Sequence, residues 1–128
     1  MNEKVNHQMS YITKLVCEIT HLSEQELRSK SRQRYIVDAR RLCYCLIRQL
    51  FQTPFEKIGK FYEKNHASII HSIKIHHQLL EFDEIYRERY IKIFRLINHE
   101  LNNELEELIY NKLTNEEKNI LANDHKQN

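Results

Sequence analysis

One glycine and one proline in 128 residues constrain this chain more than anything else in it. Tight turns, bulges and strand ends draw on those two residue types, so a chain holding only Gly59 and Pro54 is no strand-and-turn protein. Long helices follow, and the expected class is all-α: a small helical bundle with a long C-terminal helix. The length suits one domain with a real core rather than two. No apolar run is long enough to span a membrane, and the polar stretch Met1–Ser10 has no signal-peptide core. The cysteines, Cys17, Cys43 and Cys45, are odd in number and form no C-x-x-C pair. They read as small buried hydrophobes in a reducing, cytoplasmic compartment, with neither a disulfide framework nor a zinc site.

Apolar spacing divides the chain. Tyr11, Leu15, Val16 and Ile19, with Ile12 alongside, predict a first helix over about 8–20. Ser23 with Glu26 forms a capping box before a short helix near Glu24, and the basic run 28–34 reads as a loop. Ile36, Val37, Leu42, Leu46, Ile47 and Leu50 mark a helix over about 35–51. Thr53 as N-cap, Pro54 at the first helical position and Glu56 as capping-box partner then predict a short helix over 54–62. Gly59 inside it is read as admitting a neighbouring helix. After the turn Glu63-Lys64-Asn65, Asn65 caps a helix over 66–81, and Asp83 caps a last one over 84–112. Thr114 with Glu117 begins a further turn, and 123–128 reads as a disordered tail.

The net charge of +2 conceals an asymmetry. Between Arg28 and Lys64 stand ten basic residues against three acidic ones, a net of +7, while the flanks carry −2 and −3. A basic segment between acidic ones suits a polyanion-binding face. Two short-linked helices follow it, in helix-turn-helix layout. No Ser/His/Asp or Cys/His pairing is legible, and the basic segment has too few acids for the metal ions of a nuclease. His66, His71 and His76 recur every five residues, which scatters them around a helix, so no metal site is expected. The chain reads as a non-enzyme without a cofactor.

The stretch SKSRQRYIVDARRLCYCLIRQL from Ser29, followed by FEKIGKFYEKNHASIIHS from Phe55 to Ser72, resembles the C-terminal DNA-binding domain of the bacterial DnaA replication initiators. Ile58-Gly59 stands where that family has an Ile-Gly pair. Lys64 to Ser72 stands where it has Gly-Arg-Asp-His-Thr-Thr-Val-x-His-Ala. The likeness spans roughly residues 9–98, leaving 99–128 as an acidic helical extension with its tail. No Walker A sequence occurs, so the resemblance is to the DNA-binding domain standing alone, without the ATPase module.

The resemblance implies double-stranded DNA as partner, read through a recognition helix that begins near His66. Asn65, His66, Ala67 and Ser68 would face base edges or phosphates in the major groove. Asn65 replaces the family's acid, and an amide suits adenine. Arg32 aligns with an arginine that enters the adjacent minor groove, where A·T-rich DNA concentrates negative potential. Arg40 aligns with a basic residue near the DNA backbone. Lys30, Arg34, Arg41, Lys60 and Lys64 are further phosphate candidates. His71 is read as a packing or hydrogen-bonding residue. Tyr35, Tyr44, Phe55 and Tyr62 are read as core.

The expected function is sequence-specific binding at DnaA-box-like sites, controlling replication initiation or transcription on the nucleoid. A second reading is a protein-interaction module that acts on the initiator or its machinery. There Phe94, Ile97, Leu101, Leu105 and Leu108 would pair with a replication protein or a second copy.

Overall fold

The computed structural model describes the backbone of residues 2–111 and Asn115, and it leaves the side chains of 2, 101, 102 and 104–111 outside the description. Among the described residues six helices follow one another: α1 Asn2–Thr20, α2 Glu24–Arg28, α3 Arg34–Phe51, α4 Phe55–Tyr62, α5 His66–Phe82 and α6 Glu84–Asn111. No strand occurs among the described residues. The chain divides into two compact units, Met1–Phe94 and Arg95–Asn128. In the second, Asn103 Nδ2 lies 3.2 Å from His99 Nε2 one turn earlier. The turn expected at Thr114, the tail, and the side chains of Leu101, Leu105 and Leu108 lie outside the described residues.

Helix α3 is the centre of the first unit. Every residue from Asp38 to Ile47 is buried, and α1, α2, α4 and α5 all pack on it. Its apolar residues Leu42, Cys43, Leu46 and Ile47 meet Ile12 and Val16 of α1, Leu27 of α2, Ile58 of α4 and Ile69 of α5 in one core. Cys43 and Cys45 are buried as expected, and Cys17 is half-buried. Tyr44 and Tyr62 are core residues meeting edge to face at 5.1 Å, and Thr13 joins them by a 2.6 Å hydrogen bond to the Tyr62 hydroxyl. Phe55 is half-buried beneath the Arg48 guanidinium. Tyr35 departs from the expectation: it stays exposed, its hydroxyl donating to the Thr20 carbonyl.

Scarce glycine shows at the helix ends. His21, Gln52 and Glu63 adopt left-handed backbone where α1, α3 and α4 stop, a conformation that glycine usually supplies. Each non-glycine residue there costs about 1 kcal/mol, offset by the carbonyls it satisfies: Leu22 N–H reaches Cys17 O at 3.1 Å and Gln52 N–H reaches Arg48 O at 2.9 Å. Helix α1 starts six residues earlier than its apolar spacing predicts, because nothing in the polar run before Gln8 breaks it.

The caps follow prediction at three of four helix starts. Ser23 and Glu26 form the reciprocal box, Asn65 accepts from Ser68 N–H at 2.8 Å, and Asp83 accepts from Tyr86 N–H at 3.0 Å. The fourth differs. Pro54 itself is the N-cap of α4, no side chain caps it, and Thr53 is buried. The Pro54 carbonyl takes the first helical bonds, which shifts the start by one residue and puts Glu56 out of register with Thr53.

His76 of α5 is buried against α6, its Nδ1 2.5 Å from the Tyr86 hydroxyl and its ring 5.0 Å from that of Tyr90. Burial lowers its pKa from the usual 6.5 to about 4, with smaller pushes from His77 and Arg41. A native pKa below the unfolded one means that the unfolded chain binds the extra proton first. The stability that neutral His76 supports is whole above pH 6.5 and drains as pH falls toward 4. We expect a loss of up to about 1.4 kcal/mol per pH unit in that window, measured by urea unfolding. His76→Gln should flatten the dependence.

Candidate nucleic-acid interface

The pair α4 and α5 is joined by three residues, and hydrogen bonding explains how so short a turn closes. Lys64 N–H donates to Gly59 O at 2.7 Å and Glu63 N–H to Lys60 O at 3.3 Å, the two nested bonds of a Schellman ending. Glu63 sits at φ 58° to make them possible. They draw the Lys64 carbonyl onto Gly59 so closely that a β-carbon there would collide with its oxygen. Gly59 therefore admits the turn's own backbone, not a neighbouring helix as its sequence position suggests.

This turn presents the start of α5. Asn65, His66, Ala67 and Ser68 are exposed, while Ile69 is fully buried and anchors the helix on the core. Asn65 does not have both halves of its amide free for a base, because its oxygen is committed to capping Ser68 N–H. His71 is exposed rather than packed. It lines a surface depression of about 250 Å³ with Lys64, Ser68, Ser72, Arg40 and Arg41. Sequence reading missed His71 and Ser72 as surface partners. Their spacing of three and four from Ser68, which places all three on one helical face, is the signal that finds them.

A second depression, about 340 Å³, adjoins the first through Val37 and Arg41, and Arg32 and Arg34 line it. Six of the eleven candidate residues thus border two neighbouring hollows between α3 and α5. Lys60 stands elsewhere, with Lys57 and Phe61 over α1.

Arg40 sits differently from its expected place at the DNA backbone. It is 7% exposed. Its Nε donates to Leu27 O at 2.6 Å, its Nη1 to Ser31 O at 2.8 Å and its Nη2 to Ser29 O. One guanidinium thus holds three carbonyls around the loop that follows α2. Ser29 and Ser31 add side-chain bonds to the backbone N–H groups of Ser31 and Gln33. Lys30 and Arg32, both exposed, ride on this braced loop. Arg40 positions them, because its buried guanidinium spends its donors on the carbonyls of this loop.

Arg41 is also buried, with Nη1 2.6 Å from Asp38 Oδ1 and Nε without a protein partner. Arg34 is exposed yet paired, 2.6 Å from Asp83 and 3.6 Å from Asp38. Burial raises the Asp38 pKa in spite of the opposing pull of Arg41 and Arg34. Two further bases of the positive segment serve packing. Arg28 stacks 4.2 Å over Phe61, and Arg48 stacks 4.3 Å over Phe55.

Gly59→Ala should destabilise the protein. Alanine's helical advantage of about 1 kcal/mol is smaller than the roughly 1–3 kcal/mol of forcing the Lys64 carbonyl away. Glu63→Gly should do the opposite, relieving left-handed strain for a gain of about 0.5–1 kcal/mol. Thermal melts should move by several degrees in opposite directions.

Residues 9–75 match the family model described as bacterial dnaA protein helix-turn-helix, just over half of the chain. The chain is 23% identical over 100 residues to the chromosomal replication initiator protein DnaA of Leptospira biflexa, covering 78% of this chain and 22% of that protein. It is 29% identical over 96 residues to the protein of that name from Sulfurimonas denitrificans, covering 74% and 21%. For Bacteroides thetaiotaomicron the figures are 32% over 87 residues, covering 67% and 18%. The chain spans about a fifth of the length of these curated relatives.

Proposed function

The chain belongs to the bacterial DnaA helix-turn-helix family, and from that premise we propose that it reads double-stranded DNA by laying the start of α5 in the major groove at DnaA-box-like sites. The observation that carries this reading is the exposed start of α5, held by a tight turn beside a braced basic loop. His66, Ala67 and Ser68 are assigned to base edges and nearby phosphates. The free amide of Asn65 supplements them as a donor. Arg32, on the loop fastened by Arg40, is assigned to the adjacent minor groove. Lys30 and Lys64 are assigned to phosphates flanking the site, Lys60 to one farther along, and Arg34 and Arg41 to phosphates reaching the depression between α3 and α5.

The relatives' name supports a role in replication initiation, with transcriptional control as the other output of the same reader. Residues 1–98 are assigned to the reader and 99–128 to an extension outside it. No helix among the described residues is long and apolar enough to cross a membrane.

Selection of bound duplexes from a random library tests the proposal. The wild-type protein should enrich one short motif, and Arg32→Ala and His66→Ala should blur it at different positions. Lys64→Ala should instead weaken binding to all sequences and lower the salt slope by about one. Binding without any enriched motif overturns the specific-reader claim in favour of a protein-interaction module.

A further inference from the structure

Two of the phosphate candidates are already occupied by carboxylates of the protein itself. Arg41 pairs with one oxygen of Asp38 at 2.6 Å, and Arg34 approaches the other at 3.6 Å. The Arg34 Nη2 reaches Asp83 Oδ2 at 2.6 Å, while Asp83 Oδ1 caps α6 through Tyr86 N–H at 3.0 Å. The chain Arg41–Asp38–Arg34–Asp83 therefore ties α3 to the start of α6. Its exposed member is Arg34. The Arg34 side chain is 72% exposed, against 11% for Asp38 and 23% for Asp83. The two acids are fixed, one by burial and one by its helix cap, and Arg34 extends over open surface beside Arg32.

Sequence-blind affinity for DNA comes from basic groups that displace counterions from phosphates. An arginine already neutralised by a fixed carboxylate contributes little of this, because a phosphate must first displace the carboxylate. We propose that Asp83, assisted by Asp38, competes with DNA phosphates for Arg34, and so attenuates the sequence-blind part of the protein's DNA affinity. The inference rests on the DNA-reading function proposed above. The exchange of partners costs the same at a matching and at a random site, so discrimination between them is left to the base contacts of α5. The sequence-blind component alone is reduced.

Asp83→Asn tests this, since asparagine keeps a side-chain acceptor for the α6 cap while removing the charge. Affinity for a random-sequence duplex is measured by fluorescence anisotropy across a salt series, beside the motif selected by the wild type. Asp83→Asn should bind the random duplex about two- to fivefold more tightly. Its salt slope should steepen by about one, with a gain of similar size on the selected motif. Adding Arg34→Ala should abolish the gain. Glu18→Gln, which removes one exposed negative charge from α1, should leave the affinity for the random duplex unchanged. An equal gain in Glu18→Gln, or no change in Asp83→Asn beside a wild type that binds DNA, overturns the proposal. Failure of the wild type and the variant to bind any duplex overturns the DNA reading and this inference with it.

Discussion

A helix buried along its middle must find partners inside the protein for its charges, and α3 is such a helix. From Asp38 to Ile47 it has no solvent face, yet it carries an aspartate and two arginines within that span. An unpaired charge there would cost several kcal/mol, so the surroundings of α3 are arranged around its charges. Arg40 takes the carbonyls of Leu27, Ser29 and Ser31, which fixes the path of the chain from α2 into α3. Arg41 takes Asp38, and Asp38 brings Arg34 toward Asp83 at the head of α6. The buried middle of α3 and the basic loop thus share the same contacts.

The exposed start of α5 depends on a second exchange of the same kind. A three-residue turn between α4 and α5 satisfies its helix-end carbonyls by nested bonds, at the expense of a strained Glu63 and a requirement for glycine at position 59. The return is rigidity. The first residues of α5 are exposed while the next, Ile69, is fully buried, so the reading end of the helix is held by the core one residue away. A reader that must match base edges to a few tenths of an ångström benefits from such support.

Positive charge in the sequence overstates the positive charge free to meet a polyanion. Of the ten basic residues between Arg28 and Lys64, Arg28 and Arg48 stack on aromatic rings, Arg40 braces a loop, and Arg34 and Arg41 pair with acids. The exposed remainder is mostly lysine, together with Arg32. Segment charge counts side chains, whereas an electrostatic surface counts only those that the fold leaves unspent.

Much of this protein was legible without coordinates. Two breakers in the whole chain, apolar residues at helical spacing, and cap residues such as Ser23, Asn65 and Asp83 are local signals, and local hydrogen bonding obeys them. They determined the helical class, the helix order and the exposed start of α5. Much of the core was legible too, Cys43, Tyr44 and Tyr62 among it, but the partners of Arg40, Gly59 and Arg34 were not. Arg40 looked like a surface base until Leu27, Ser29 and Ser31 surrounded it. Gly59 looked like a helix-packing glycine until Lys64 folded back onto it. Nothing near Arg34 in sequence announced Asp83, forty-nine residues away. The sequence by itself determined which segments are helical and which residue types can meet DNA. Only the tertiary structure decided which of those residues are free to do so, because a charge's partner is set by spatial proximity in a low-dielectric interior and not by its place along the chain.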